Sequence, residues 1–366
     1  MKIATRHQPA GIALLIVMCA IFVLSILAAA LAYSMKVEGT LAQHADTNQR
    51  LVWLGRSGVE LARWVLAQEA AIPGEPYDAL NQIWAGGTGS MGETNSPLHG
   101  IDLKNYTIGD GTVSLNIIDL ERYANINNPL GAPLITQALT LMGVDAGQIS
   151  IVSDSIQDWV QRGDTPRIAG AKNEYYLGLN PPYNCKEAPM DDLSELLLVK
   201  GIWDHPEIYW GGVATNHPGP SFQHHLGFGN AGEAPNYPFG LVDLFTPFST
   251  GKININTADA TVLQLFPGVD ADTAESIRKY RAGPDGVEGD ADDTPFRSID
   301  THQLQAAGVN QEAIAQIGRL CDVHSTTFKV TVTAKIGNYK RDFNAILYRD
   351  PRNLRYVQVV RFYWNY

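Results

Sequence analysis

The sequence predicts an α+β fold in which a long N-terminal helix packs on a small antiparallel sheet, with a large helical insert interrupting the sheet. Three observations lead to this prediction. Residues 12–69 form one apolar and then amphipathic helical pattern. Residues 328–364 hold three alternating strand patterns, and about two hundred residues of mostly helical character separate them from an earlier strand pattern at 112–118.

The N-terminal segment has the properties of a membrane anchor. The start of the chain carries Lys2 and Arg6 and no acid, and the run from Gly11 to Tyr33 has no formal charge. About twenty residues at a rise of roughly 1.5 Å each can span a hydrocarbon core of roughly 30 Å. Basic residues before the run and Glu38 after it place the start of the chain in the cytoplasm and the body outside.

Two other interpretations of this segment remain open. A secretory signal peptide has the same basic start and apolar core, and Ala30-Leu31-Ala32 supplies a cleavage site. A core helix of a soluble domain is disfavoured by the length of the uncharged run. From residue 34 to residue 69 there is no proline, and apolar residues recur at intervals of three, four and seven. This continuation into an amphipathic helix favours an anchor that is retained.

The strands are predicted by alternating β-branched and polar residues. Residues 112–118 form the first candidate, and the end of the chain supplies three more at 328–335, 343–348 and 355–364. Gly337-Asn338 is a predicted turn between the second and third strands. Together they predict a small antiparallel sheet.

The insert contains a weak internal repeat. An Asn-Ile-Asn motif is followed by a leucine-containing segment and then by Gly-Val-Asp, first at 125–145 and again at 254–270. Asn and Thr suit helix N-caps, and Gly-Val-Asp suits a tight turn between two helices. The repeat predicts two helix-hairpin-helix (SAM-like) units. Residues 70–110, punctuated by Gly and Pro, predict a loop region.

DNA binding is the alternative function, because the second repeat resembles the helix-hairpin-helix module of DNA-uptake proteins. The formal net charge of −11 opposes it, since sequence-independent affinity comes from Lys and Arg neutralising phosphates. Asp270 stands where a second glycine would let phosphate approach, and Asp272 and Glu275 follow. We therefore expect no nucleic-acid partner.

No catalytic constellation is recognisable in the sequence. The histidines that cluster in residues 202–240 lack the spacing of a transition-metal site, namely His205, His217, His224 and His225. Nucleophile-elbow and phosphate-loop motifs do not occur either. We therefore do not expect an enzyme.

An ordered set of motifs in the first half of the insert gives the sharpest family signal. They are Asp158-Trp159, Pro166-Arg167, Gly170-Ala171, Tyr175-Tyr176, Pro181-Pro182-Tyr183 and Leu198-Val199-Lys200-Gly201. With the short basic leader and the long helix, this set resembles the minor pseudopilin K family of type II secretion systems, within the type IV pilin-like superfamily. Lys172 stands where the family usually has glutamate.

The resemblance implies how the N-terminus is processed. Prepilin peptidase would cut after Gly11, and Ile12 would become the N-methylated first residue. Most pilin-like proteins carry a glutamate at the fifth mature position, which here is Ile16. Within the superfamily, pseudopilin K typically lacks this acid, as expected of a subunit at the tip.

The resemblance also implies a function and a place in the cell. The protein would be a minor pseudopilin that caps and nucleates the periplasmic pseudopilus for protein export across the outer membrane. Its partners would be pseudopilins I and J. It would be a single-pass protein of the inner membrane of a Gram-negative bacterium, with its body in the periplasm.

The same resemblance divides the chain into four regions. Residues 1–11 would be the prepilin leader and 12–69 the transmembrane and amphipathic helix. A pilin-like α/β domain would comprise 70–122 and 322–366, and the inserted helical domain would comprise 123–321.

An acidic loop at 283–293 is the candidate metal site. Its carboxylates are Asp285, Glu288, Asp290, Asp292 and Asp293. Oxygen ligands in a glycine-rich loop suit calcium better than zinc, and the resemblance also points to a calcium-binding protein. A solvated acidic turn is the alternative.

The cysteine content leaves two possibilities. Cys19 lies in the apolar run, so Cys185 and Cys321 are the one possible disulfide pair in an oxidising compartment. Two free buried thiols are the alternative.

Overall fold

The fold consists of a long helix, a five-stranded antiparallel sheet and a helical insert. A computed structural model of the chain describes residues 10–72, 74–89, 97–128, 131–212 and 237–364. The predicted combination of an N-terminal apolar helix with an antiparallel sheet is confirmed.

Helix α1 (Ala10–Glu69) is continuous over 60 residues. From Ile12 to Leu41 its large apolar side chains are exposed, whereas farther along Leu54 and Val65 are buried against the sheet. Of the helices in the described ranges, this one is long and apolar enough to cross a membrane. The amphipathic second half exists because one face packs on a sheet and the other does not.

Two glycines let α1 approach the sheet closely. A Cβ at Gly55 would lie 2.4 Å from Cδ2 of Phe343, and one at Gly58 would lie 2.4 Å from Cγ1 of Val332. Because neither position has room for a methyl group, the two glycines set the distance between helix and sheet.

The sheet has the order β1-β2-β7-β8-β9, and every neighbouring pair is antiparallel. The strands are β1 (Tyr106–Ile108), β2 (Gly111–Asp119), β7 (Thr327–Ile336), β8 (Tyr339–Asp350) and β9 (Asn353–Tyr363). Gly337, at φ 57°, lies in the two-residue turn that pairs Ile336 with Tyr339. Each of the four predicted strands overlaps an observed one, and β1 was not predicted.

The insert is built mainly of short helices. They are α2 (Ala132–Met142), α3 (Ala146–Val160), α4 (Asn173–Tyr176), α5 (Glu207–Trp210), α6 (Leu241–Leu244), α7 (Ala260–Leu263), α8 (Ala271–Arg281), α9 (Thr301–Ala306) and α10 (Gln311–Leu320). Short 3₁₀ helices lie at Ile83–Ala85 and Leu193–Leu198. Two parallel two-residue pairings join distant parts, namely β3 (Ala124–Asn125) with β4 (Phe245–Thr246) and β5 (Ile253–Asn254) with β6 (Cys321–Asp322).

Helices are present at both copies of the sequence repeat. Gly143 ends α2 at φ 81°, and Asp145 caps α3 by accepting from the Gly147 N–H at 2.9 Å. In the second copy Gly268 has φ 82° and Asp270 caps α8. Glycine suits these turns because it adopts positive φ without strain. The classification of either pair as a helix-hairpin-helix unit stays a prediction.

The apolar core forms two clusters. One joins the second half of α1 to the sheet, and the other fills the insert between Ala124 and Val323. Cys185 and Cys321 are both buried and are not bridged, which is the free-thiol alternative.

Candidate functional site

The family motifs assemble around a buried carboxylate at the end of α3. Asp158 is 1% exposed, and its two oxygens accept from Arg167, Oδ2 from the backbone N–H at 3.0 Å and Oδ1 from Nη1 at 2.6 Å. A Cβ at Gly170 would lie 1.9 Å from Asp158 Oδ2. The Pro-Arg and Gly-Ala motifs therefore wrap the Asp-Trp motif, and the glycine is required by this close approach.

An aromatic group extends this arrangement. The rings of Trp159 and Tyr176 lie 5.2 Å apart edge to face, and those of Tyr176 and Tyr183 lie 5.4 Å apart. Trp159 Nε1 donates to Glu195 at 3.3 Å, and Tyr183 donates to the Leu198 carbonyl at 2.8 Å. Burial raises the pKa of Tyr176 well above its ordinary value, so the phenol stays a neutral hydrogen-bonding group. The cluster holds the loop from 161 to 200 on α3.

Lys172 has a structural role that differs from that of a glutamate. Its ammonium is buried and donates to the carbonyls of Asp158 (2.7 Å) and Gln161 at the C-terminal end of α3. These carbonyls have no partner within the helix, and a cation stabilises the negative end of the helix dipole. Lysine therefore acts here as a C-cap, which a carboxylate cannot do.

The acidic loop brings some of the predicted ligands together. One carboxylate oxygen from each of Asp285, Asp290 and Asp292 lies within 4.8 Å of the others. The donor set is entirely oxygen, which fits a hard cation such as calcium. A side-chain hydrogen bond with Asp292 is the main reason why the pKa of Asp290 is raised, as expected for carboxylates held close together.

The other two predicted ligands are placed differently. Glu288 forms an ion pair with Arg281 at 2.5 Å, so it faces a buried guanidinium rather than the three aspartates. Asp293 accepts from the Gly289 N–H through Oδ2, while its Oδ1 is buried and has no hydrogen-bond partner within the described residues. Burial raises the pKa of Asp293 to about 6. The buried, unsatisfied oxygen fits a further ligand to a cation.

The second helix pair does not present a free phosphate site. The Asp270 carboxylate accepts from the Thr273 N–H at 2.8 Å, so an acid already occupies the N-terminus of α8. Capping also lowers the pKa of Asp270, which therefore stays ionised. A phosphate would have to displace this carboxylate or approach it against its charge.

The processing residues lie at the start of α1. Gly11 and Ile12 are both within this helix, and Ile12 and Ile16 are exposed. Among the predicted loop histidines, His205 contacts Glu207 at 3.0 Å, and His217, His224 and His225 lie outside the described residues.

Two tryptophans on α1 were missed by the sequence reasoning. Trp53 is 58% exposed and Trp64 is 39% exposed, and their spacing of 11 residues puts them on one face of the helix. The guanidinium of Arg56 lies over the Trp53 ring at 5.2 Å. The signal that could have found them is the helical periodicity itself, because they fall between the buried positions. Exposed aromatic pairs of this kind are typical of protein interfaces.

A single apolar helix whose second half packs on an antiparallel sheet is the arrangement that the resemblance to pilin-like proteins leads us to expect. The family model described as type II secretion system protein K matches residues 114–208. These residues include the first repeat and the complete motif cluster. Over these residues the chain is similar to the type II secretion system protein K family.

Relatives with this description agree over part of their length. Type II secretion system protein K of Klebsiella pneumoniae is 26% identical over 210 residues, which is 54% of this chain and 59% of the relative. The protein of the same description from Pectobacterium carotovorum is 21% identical over 203 residues, which is 54% of this chain and 60% of the relative. The matched part is thus less than two thirds of each relative.

A solved structure supports the fold over nearly the whole chain. A chain of the crystal structure of the GspK-GspI-GspJ complex from the enterotoxigenic Escherichia coli type 2 secretion system superimposes with a TM-score of 0.60 at 15% identity. The superposition covers 89% of this chain and 99% of that chain. At this identity the likeness establishes the fold.

Proposed function

We propose that this chain is a minor pseudopilin of a type II secretion system, a structural subunit without enzymatic activity that caps and nucleates the periplasmic pseudopilus. The observation that carries the proposal is the joining of α1 and its sheet to an insert built around the protein K motifs. In this view the pilin-like part (70–122 and 322–366) takes the place of a pilus subunit, and the insert (123–321) covers it.

The partners in this proposal are pseudopilins I and J, which accompany the structurally similar chain in its crystal. Trp53 and Trp64 support it, since both are exposed on the part of α1 that lies outside the apolar span. We expect them to anchor a neighbouring helix. Trp64→Ala combined with Trp53→Ala should weaken co-purification of the full-length chain with I and J from detergent by about tenfold or more.

A matched control separates this effect from a general loss of apolar surface. Tyr356 is 53% exposed but lies on β9 rather than on α1, so Tyr356→Ala should leave the complex intact. Equal loss in both variants would contradict an interface on α1, and failure of the wild-type chain to co-purify with I and J would contradict the proposed function.

The tip position follows from Ile16 in this proposal. A buried carboxylate in a bilayer is expensive unless it is paired, so the glutamate usual at this position is understood to meet the N-terminal amine of a neighbouring subunit. Isoleucine makes no such pair, and a tip subunit has no need of one. Labelled protein should therefore be found at the end of the pseudopilus, and distribution along its length would contradict capping.

Processing and location belong to the same proposal. Prepilin peptidase would cleave between Gly11 and Ile12 and the new terminus would be methylated, leaving α1 in the inner membrane and the body in the periplasm. Mass spectrometry of the membrane fraction tests this directly. A mature N-terminus near Tyr33 would instead identify a signal peptide and a released protein.

Calcium binding by the acidic loop is a second part of the proposal. Asp285, Asp290 and Asp292 would supply the first ligands, Asp293 would add its buried oxygen, and Glu288 would orient the loop through Arg281. A cation would neutralise carboxylates that otherwise repel one another, so binding should stabilise the fold. At a hundred times Kd the stabilisation is about 2.7 kcal/mol.

The calcium proposal is tested by thermal unfolding. Chelation should lower the Tm of the wild-type protein, and Asp290→Asn with Asp292→Asn should lower it similarly and remove the effect of the chelator. Asp164→Asn, an exposed acid outside the loop, is the control and should respond to calcium like the wild type. No response of the wild type to calcium would leave a solvated acidic turn.

A further inference from the structure

A buried carboxylate lies where the sheet passes into the insert. Asp119, the last residue of β2, is 2% exposed. Its Oδ2 accepts from Ser325 Oγ at 2.6 Å, Thr257 Oγ1 at 2.5 Å and Asn254 Nδ2 at 3.2 Å, and its Oδ1 accepts from the Glu121 N–H at 2.8 Å. Because these donors come from the insert and from both connections to it, Asp119 links the sheet to the insert.

Glu121, two residues later, also links the sheet to the insert. It is 1% exposed and accepts from the Thr326 hydroxyl at 2.8 Å, the Thr250 hydroxyl at 3.2 Å and the Thr327 N–H at 2.9 Å. Thr250 belongs to the insert, whereas Thr327 begins β7 of the sheet. The two carboxylates therefore hold both chain crossings between insert and sheet, at 120–123 and 322–326.

In the described ranges, these two acids have no cation of their own. A third buried carboxylate, Asp78, takes the nearby guanidinium of Arg349. Neither Asp119 nor Glu121 forms an ion pair within the described part of the chain. Two buried carboxylates in the same junction disfavour simultaneous ionisation, because burial penalises each charge.

The direction of the pKa shifts of Asp119 and Glu121 agrees with this geometry. Burial raises the pKa of Asp119 to about 7, with smaller contributions from the charges of Glu121 and Asp78, while the Ser325 and Thr257 hydroxyls act in the opposite direction. Burial likewise raises the pKa of Glu121. The hydroxyl groups around both acids can rotate to donate or to accept, so the network can accommodate a protonated acid.

We propose that this junction is a proton-sensitive coupling between the insert and the sheet. With a proton on Asp119 or Glu121, the insert is held on the sheet as in this structure. Loss of that proton leaves two buried negative charges at the junction and loosens the crossings at 120–123 and 322–326. The inference does not depend on the proposed function.

Other charged groups around the junction must be separated from the pair. They are Asp78 with Arg349, Arg122 with Asp259, Lys252 with Asp322, Tyr123 and His324. In each ion pair the partner compensates the charge, and burial raises the pKa of Tyr123. Histidine ordinarily titrates near pH 6.5, so His324 needs its own control.

The test is amide hydrogen exchange of the full chain in detergent micelles at pH 6 and pH 8, corrected for the intrinsic exchange rate. A native pKa near 7 and an opened-state pKa near 4 predict about tenfold more opening of the two crossings at pH 8. The sign follows because the acid has the higher pKa when folded, so stability is lost as pH rises through 7. Residues 343–347 in the middle of β8 should show no such change.

Three variants decide the source of the effect. Asp119→Asn is neutral and nearly isosteric, so it should reduce the pH dependence to less than about twofold, and Glu121→Gln serves the same purpose if Asp119→Asn does not fold. His324→Gln should retain the wild-type tenfold change. The proposal is overturned if the wild type shows no pH dependence at the crossings, if both acid variants retain it, if His324→Gln abolishes it, or if β8 changes in parallel.

Discussion

Replacing Gly170 by alanine tests how the motif cluster is held together. The added Cβ would lie 1.9 Å from Asp158 Oδ2 and 2.9 Å from its Cγ. It would also lie 3.3 Å from the carbonyl oxygen of Asp154. The carboxylate cannot remain where it is, and it has no free space to move into because Asp158 is almost completely buried.

The magnitude follows from what Asp158 loses. Displacement separates the carboxylate from the Nη1 of Arg167 and from the Arg167 N–H, now at 2.6 and 3.0 Å. Removing the partner of a buried charge costs about 3–5 kcal/mol. Since whole domains are stable by only about 5–15 kcal/mol, we expect Gly170→Ala to unfold much of the insert under mild denaturation.

Urea unfolding of the full chain, followed by tryptophan fluorescence, measures the effect. Gly318→Ala is the control, because a Cβ there meets nothing within 4 Å on α10, and it should be neutral or stabilising by up to about 1 kcal/mol. In Asp158→Ala the clash is absent, so adding Gly170→Ala should cost little more. A Gly170→Ala variant within about 0.5 kcal/mol of the wild type would refute the reasoning.

Three further predictions concern packing and caps. Lys172→Glu should lower the free energy of unfolding in urea by about 3–5 kcal/mol, because a buried anion would face the helix carbonyls. Lys172→Met should lower it by only about 1–2 kcal/mol. Equal losses in the two variants would contradict the C-cap role. Gly58→Ala should destabilise the fold by about 1–3 kcal/mol through overpacking and so lower its Tm, and adding Val332→Ala should reduce this loss. A raised Tm in Gly58→Ala would mean that the higher helix propensity of alanine dominates. Asp270→Ala should cost about 0.5–2 kcal/mol by removing the α8 cap, with Asp272→Ala, an exposed acid of the same helix, as the control.

The parts of the fold that the sequence predicted are those set by local periodicity. The apolar and then amphipathic pattern predicted α1, and the alternation of β-branched and polar residues predicted β2, β7, β8 and β9. Strand β1 was missed because it has three residues, of which Tyr106 and Thr107 are exposed, so it has no alternation to detect. The pairings of β3 with β4 and of β5 with β6 join residues far apart in the chain and involve two residues per strand. Nothing in a local pattern specifies such a contact.

In the acidic loop, the sequence shows which carboxylates are present but not which group each of them contacts. From the sequence, five carboxylates were predicted as equivalent ligands. In the structure Glu288 forms an ion pair with Arg281, and only Asp285, Asp290 and Asp292 lie close together. Which acid meets the guanidinium depends on how α8 packs in the insert, because Arg281 also donates to the Ile255 carbonyl at 2.6 Å. That packing is a tertiary property that the loop sequence does not contain.

The motif cluster also indicates where a binding surface should be sought. Its polar and aromatic members contact one another: Asp158 with Arg167, Trp159 with Tyr176, and Tyr183 with the Leu198 carbonyl. Side chains committed to such contacts cannot also bind a partner without breaking them, so the role of the motifs is to stabilise the fold of the insert. Recognition of the proposed partners would instead use side chains that the fold leaves exposed. On α1 these are the apolar residues from Ile12 onward and the two tryptophans, which is why the partner proposal places its variants there.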